Sequence, residues 1–200
     1  MDKKDFNIIK SLLSSDIFLK SIILIIIILL PIIVALKFSK THTYIEQDQK
    51  LLPIIANKLK QKYTLLYVGY TGCINICTPR LQEISTIQRV LKDKGDTIGY
   101  MFLDLRTLGD DVSGDFLKAF YGDFEVLSLK KDDKSKLLKQ LQFYFTKSLY
   151  DTNEFEHSSY LYLLEKKKDQ VQLIATIMQY PFTNKETIEF LHKRVNYENR

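Results

Sequence analysis

The chain contains two cysteines, Cys73 and Cys77, set four residues apart in GYTGCINICTPRL, Gly69 to Leu81. Thr78 followed by Pro79 reads as a helix start. Proline lacks the N–H that a first turn leaves unpaired, and its ring disfavours helical backbone at the residue before it. Both sulfurs then lie in a loop just ahead of a helix, where the N-terminal dipole favours thiolate over thiol. A disulfide closing so short a loop contributes roughly 2 kcal/mol, less than half of what a loop of about a hundred residues gives. A structural staple is therefore a poor use of the position, and a reactive thiol pair or a metal clasp fits it better.

A metal clasp needs more than two sulfurs, and the sequence offers three histidines. His42 lies in a polar connecting stretch, and His192 stands beside Lys193 and Arg194, where water satisfies it. His157, in NEFEHSSYLYLL, precedes a strand-like run, so its loop can approach the cysteine loop. On its own, a histidine in that place is more often a surface or hydrogen-bonded residue than a ligand. Two thiolates with one imidazole suit copper, whereas zinc asks for a fourth protein ligand or a water.

The elements that must position these groups follow from periodicity. YTLLYVGY (63–70) has the apolar run of a buried strand, and PRLQEISTIQRVLKDKG sets Leu81, Ile84, Ile87 and Leu91 at helical spacing. TIGYMFLDL (97–105) and FEVLSL (124–129) read as further strands, with a short helix over SGDFLKAFYG (113–122) between them. DDKSKLLKQLQFYFTKSL carries a helical face through Leu137, Leu138, Leu141 and Phe145. SSYLYLLEK and VQLIATIM form a hairpin pattern, and NKETIEFLHKRV a closing helix. Strands alternating with helices predict an α/β domain with a mixed sheet.

From Ile17 to Leu36 the stretch IFLKSIILIIIILLPIIVAL carries one charge, Lys20. About twenty such residues at roughly 1.5 Å rise span the ~30 Å hydrocarbon layer. The run is longer than a signal-peptide core and lacks a small-x-small cleavage site. The expected organisation is a cytoplasmic tail (1–16), a transmembrane anchor (17–36), a juxtamembrane linker with a short helix near Pro53 (37–62), and a folded domain (63–200). A slight lysine excess before the span favours a cytoplasmic N-terminus with the domain outside. The first twenty residues hold three Asp and no Arg, unlike a mitochondrial presequence, so a bacterial inner membrane with a periplasmic domain fits better. The net charge of +5 comes from lysines mixed with acids, which lacks the one-signed stripe of a nucleic-acid binder.

Three separated motifs, YVGYTGCINIC before a proline and helix, an Asp after a strand in MFLDLR, and HSS before a strand, resemble the Sco/SenC copper chaperones of cytochrome oxidase assembly. The resemblance runs from about Tyr63 to Val195. It implies a thioredoxin-like fold, a mixed sheet flanked by helices, behind the N-terminal transmembrane helix. It also implies one copper ion per chain, bound by Cys73, Cys77 and His157, with Asp104 at the family's acidic position. The implied partner is the copper-containing subunit of cytochrome c oxidase, whose dinuclear site receives copper or has its cysteines kept reduced. Other periplasmic copper carriers or thiol reductants are implied as further partners. The chain departs from the family pattern at Ile74, Asn75 and Thr78, where proline, aspartate and proline are usual, and the segment before Tyr63 reads as too short and helical for the usual opening hairpin. An alternative function, a periplasmic thiol-disulfide reductase without copper, needs Cys73 and Cys77 as its redox pair and no histidine ligand.

Overall fold

The structure is a computed structural model that describes residues 15–38, 43–106, 109–120, 122–149 and 155–196. The chain divides into two compact units, Met1–Thr41 and His42–Arg200. The first holds helix α1 (Ser15–Phe38), 24 residues with Pro31 inside it. Its side chains are described from 19 to 33, and all of these are exposed. Over the residues whose side chains are described, which in α1 run from 19 to 33, no helix is long and apolar enough to cross a membrane.

The second unit is built on a six-stranded sheet. Its strands are β1 (Tyr44–Lys50), β2 (Tyr63–Gly69), β3 (Gly99–Asp104), β4 (Phe124–Val126), β7 (Leu161–Lys167) and β8 (Gln170–Ile177), in spatial order β1-β8-β7-β2-β3-β4. A separate two-stranded ribbon joins β5 (Phe145–Lys147) to β6 (Phe155–His157). The helices of this unit are α2 (Cys77–Asp93), α3 (Asp110–Leu117), α4 (Lys131–Gln140) and α5 (Lys185–Asn196). β2, β3 and β4 run parallel, while β7 is antiparallel to both β2 and β8. This is the expected thioredoxin-like arrangement.

β2 shows why the sheet is central. All seven of its residues are buried, as befits a strand covered on both faces. Alternate side chains serve two cores. Leu65 and Tyr67 pack with Leu81, Ile84, Ile87 and Leu91 of α2 and with Leu191 of α5. Leu66 and Val68 pack with Leu137 and Leu138 of α4 and with Ile55 and Leu59. The loops that leave β2 and β3 thus emerge at the carboxyl ends of parallel strands, where open α/β sheets place their sites.

The structure corrects several expectations. Residues 44–50, expected within a linker, form β1, paired with β8 from Tyr44↔Ile177 to Lys50↔Gln172. YIEQDQK reads as linker because an edge strand with an exposed face needs few apolar residues; its anchor is Tyr44, stacked on Phe190 of α5 at 3.7 Å. The folded unit therefore starts before Tyr63, and the segment near Pro53 is only a three-residue 3-10 turn. Phe145 belongs to β5 rather than to a helical face, because α4 stops at Gln140 and Gln142 takes a left-handed backbone at φ 51°. α3 begins at Asp110, earlier than periodicity suggests, with two aspartates in its first turn, where the helix dipole favours them.

Candidate metal centre

The cysteine loop joins β2 to α2. Gly72, at φ +88°, makes the turn that a side chain would strain, and the N–H of Cys73 bonds the Tyr70 carbonyl at 3.2 Å. α2 starts at Cys77, so Cys77 lies in the first helical turn and only Cys73 lies in the loop. Thr78 does not cap the helix. Its hydroxyl donates to the Cys73 carbonyl at 3.2 Å, while Ile76, at the cap position, makes no side-chain bond. The capping acceptor is sulfur: the Cys77 N–H points at Cys73 Sγ at 3.2 Å. A thiolate thus takes the place that a Ser or Asp oxygen fills at other helix starts.

The loop is braced from β3. Asp104, at the end of that strand and 6% exposed, accepts from the Thr71 hydroxyl, from Ser113 Oγ at 2.6 Å and from the Arg106 N–H at 2.8 Å. The Arg106 guanidinium donates to the Thr71 carbonyl at 3.0 Å and covers the Tyr70 ring. Through these bonds Asp104 holds the loop that carries the cysteines. Gly69 sets how close the strand comes, since a Cβ there would sit 2.8 Å from Cys77 Sγ.

His157 reaches the cysteines from β6, whose register pairs it with Phe145. Its ring stacks on Phe143 and meets Tyr70 edge-on, both at 5.8 Å between centroids. Nδ1 lies 2.8 Å from the Ser158 carbonyl, which fixes Nδ1 as the protonated nitrogen. The lone pair of Nε2 is then free, and Nε2 lies 3.6 Å from Cys77 Sγ. The donor atoms of Cys73, Cys77 and His157 all fall within 4.8 Å of one another. The donor set fits a soft metal, because two buried sulfurs and one oriented imidazole nitrogen converge on one point.

No disulfide joins the cysteines, and their environments split them. Cys73 is drawn well below the ordinary thiol range, chiefly by the hydrogen bond from Cys77, and further by the N–H groups of Cys77 and Ile76; His157 adds to this only in the form that carries a proton on Nε2. Cys77 is pushed up by that same bond, by burial and by the neighbouring Cys73 charge. Negative charge on the pair is thus favoured at Cys73, and the shared proton at Cys77.

Among the described residues no other histidine joins this cluster. His192 turns Nδ1 to Asp96 at 2.7 Å, a bond across to the start of β3 rather than the solvated side chain expected. His42 lies outside the described residues. The supports of His157, namely Phe143, Tyr70 and the β5–β6 ribbon, are the functional residues that the sequence did not reveal.

A profile of the SCO1/SenC family matches residues 36–193. This chain belongs to the SCO1/SenC family. A SCO2-like protein of Rickettsia typhi is 26% identical over 167 residues, which cover 78% of this chain and 77% of that protein. Among solved structures, copper-bound yeast Sco1 is similar at a TM-score of 0.58 and 19% identity, over 76% of this Sco chain and 88% of that one. Copper-bound ScoI of Bradyrhizobium japonicum gives 0.53 at 22% identity, over 76% and 98%. At these identities the likeness to solved structures shows the shared fold.

Proposed function

We propose that this Sco chain is a membrane-anchored copper carrier that holds one copper ion at Cys73, Cys77 and His157. It hands the ion by ligand exchange to the copper-containing subunit of cytochrome c oxidase. The observation that carries this reading is the convergence of the two sulfurs and His157 Nε2, brought together from segments eighty residues apart. Family membership and the copper-bound relatives support the choice of metal. Cys73 offers a thiolate at once, His157 offers an aimed lone pair, and Cys77 surrenders its proton as the ion enters. His157 is the most exposed of the three and sits on a ribbon outside the main sheet, so an incoming ligand meets the site from its side.

Anaerobic cuprous titration of the full chain in detergent tests this. It should saturate near one copper per chain and release about one proton at neutral pH. Because the raised Cys77 proton must leave, affinity should increase about tenfold per pH unit while Cys77 is protonated, and weaken as pH falls. Binding without proton release and without pH dependence would remove Cys77 from the site.

α1 is proposed as the anchor. Its 24 residues rise about 36 Å, enough for the hydrocarbon layer. The chain should stay in bacterial inner membranes through alkaline carbonate washing, and alkaline phosphatase fused after Arg200 should be active in the periplasm. Release of a trimmed soluble form, or an inactive fusion beside a working cytoplasmic reporter, would overturn the anchor or its orientation.

The split of the thiols also favours a second reading, a disulfide reductase. The Cys73 thiolate attacks a partner disulfide and expels one partner thiolate; Cys77, once deprotonated, attacks Cys73 of the mixed disulfide and releases the second. His157 has no necessary part in that exchange.

A further inference from the structure

Cys77 Sγ is fully buried, so water cannot offset the charge it takes on when a metal displaces its proton. Charge on a buried thiolate needs donors from the protein. The Tyr70 N–H is one. A second group waits beneath the sulfur: Tyr67 of β2, 0% exposed and in the same core as Cys77. At Gly69 a Cβ would lie 2.8 Å from Cys77 Sγ and 3.3 Å from Tyr67 Cε1, so ring edge and sulfur border the same small space that the glycine leaves open. The neighbours of the phenol oxygen are Cys77 and Ser159. Neither contact has full hydrogen-bond geometry, and the phenol stands among the buried polar atoms without a partner. An unpaired buried hydroxyl is costly, which calls for a reason.

The direction of the bonds around it supplies one. Arg80 Nε donates to Ser159 Oγ at 3.0 Å. Ser159 Oγ keeps its own proton beside that bond, so it is able to donate to the Tyr67 oxygen, an arrangement that turns the phenol proton toward sulfur.

We propose that Tyr67 is the positioning donor of the metal centre: its O–H, oriented by Arg80 through Ser159, bonds the Cys77 sulfur when that sulfur is ionised by a bound soft metal. The assignment rests on the copper reading for its cargo, but not for its chemistry. A hydrogen bond to a metal-bound thiolate stabilises its charge and lowers its donor orbital, which favours the cuprous over the cupric state. Tyr67 touches the ligand and not the metal.

Tyr67→Phe tests this in the full chain in detergent, because it removes one oxygen and keeps the ring. The metal-free variant should unfold at the wild-type temperature or above it, since a buried hydroxyl without a partner is lost. Its cuprous affinity should fall about tenfold, and its cupric thiolate charge-transfer band should move to longer wavelength. Ser159→Ala should move the band the same way by less. The mercuric thiolate band, which any two thiolates give, should shift in the same sense. A folded Tyr67→Phe chain with wild-type affinity and unmoved bands would overturn the assignment, as would a lowered metal-free midpoint with unmoved bands, which marks a packing role. A wild-type chain that takes mercury and not copper would defeat the copper reading, while the mercury band still decides Tyr67.

Discussion

Replacing either cysteine by serine should abolish tight copper binding, with a loss beyond the roughly 10- to 100-fold that removal of an outer hydrogen-bond partner costs a metal site. A serine hydroxyl is a hard, protonated donor, and the remaining thiolate and imidazole no longer make a soft three-donor set. The fold should survive both changes. Serine at 73 can still accept the Cys77 N–H, since serine is a favoured residue at helix starts. Serine at 77 keeps nearly the shape of the side chain that packs against Gly69, at the cost of a hydroxyl in a site with 0% exposure. Anaerobic competition with a cuprous chelator measures the affinity, and circular dichroism confirms the fold. Undiminished binding in either folded variant would move the site elsewhere.

His157→Ala should weaken cuprous affinity by at least about tenfold and alter the cupric spectrum, yet leave the thiols able to reduce a test disulfide. The contrast follows from the geometry. Nε2 faces Cys77 and is the only nitrogen in the donor cluster, whereas thiol exchange needs a thiolate and a resolving thiol. Cys73 keeps most of what holds its charge without His157, because the bond from Cys77 is the larger cause and the helix-start N–H groups remain. If the chain works mainly as a reductase, the same substitution leaves both oxidase maturation and disulfide reduction near wild type. The fold of the variant must be checked, because Phe143 and Tyr70 lose the ring they pack against.

The grouping of Cys73, Cys77 and His157 was legible in the sequence because their spacing and order carry the family's motifs, and β2, α2 and the β7–β8 hairpin because their apolar periods are regular. What positions the donors was not. His157 is oriented by stacking on Phe143 and by the three-residue strands β5 and β6, and such short pairings arise from tertiary contacts rather than from local pattern. The helix start was misplaced because the rule that Thr-Pro caps a helix takes oxygen as the acceptor, whereas here a sulfur holds the first N–H. β1 escaped notice for the opposite reason. An edge strand has one paired edge, so its mostly polar side chains look like linker until β8 is seen beside it.

The central claim is that copper sits between Cys73, Cys77 and His157. X-ray absorption at the copper edge of the anaerobically loaded full chain reads this most directly, with wild type and His157→Ala side by side. Two sulfur scatterers and one imidazole nitrogen per copper are expected in the wild type, with loss of the imidazole signal in His157→Ala. A sulfur-only coordination sphere in the wild type, or an imidazole signal that persists in the variant, would contradict it.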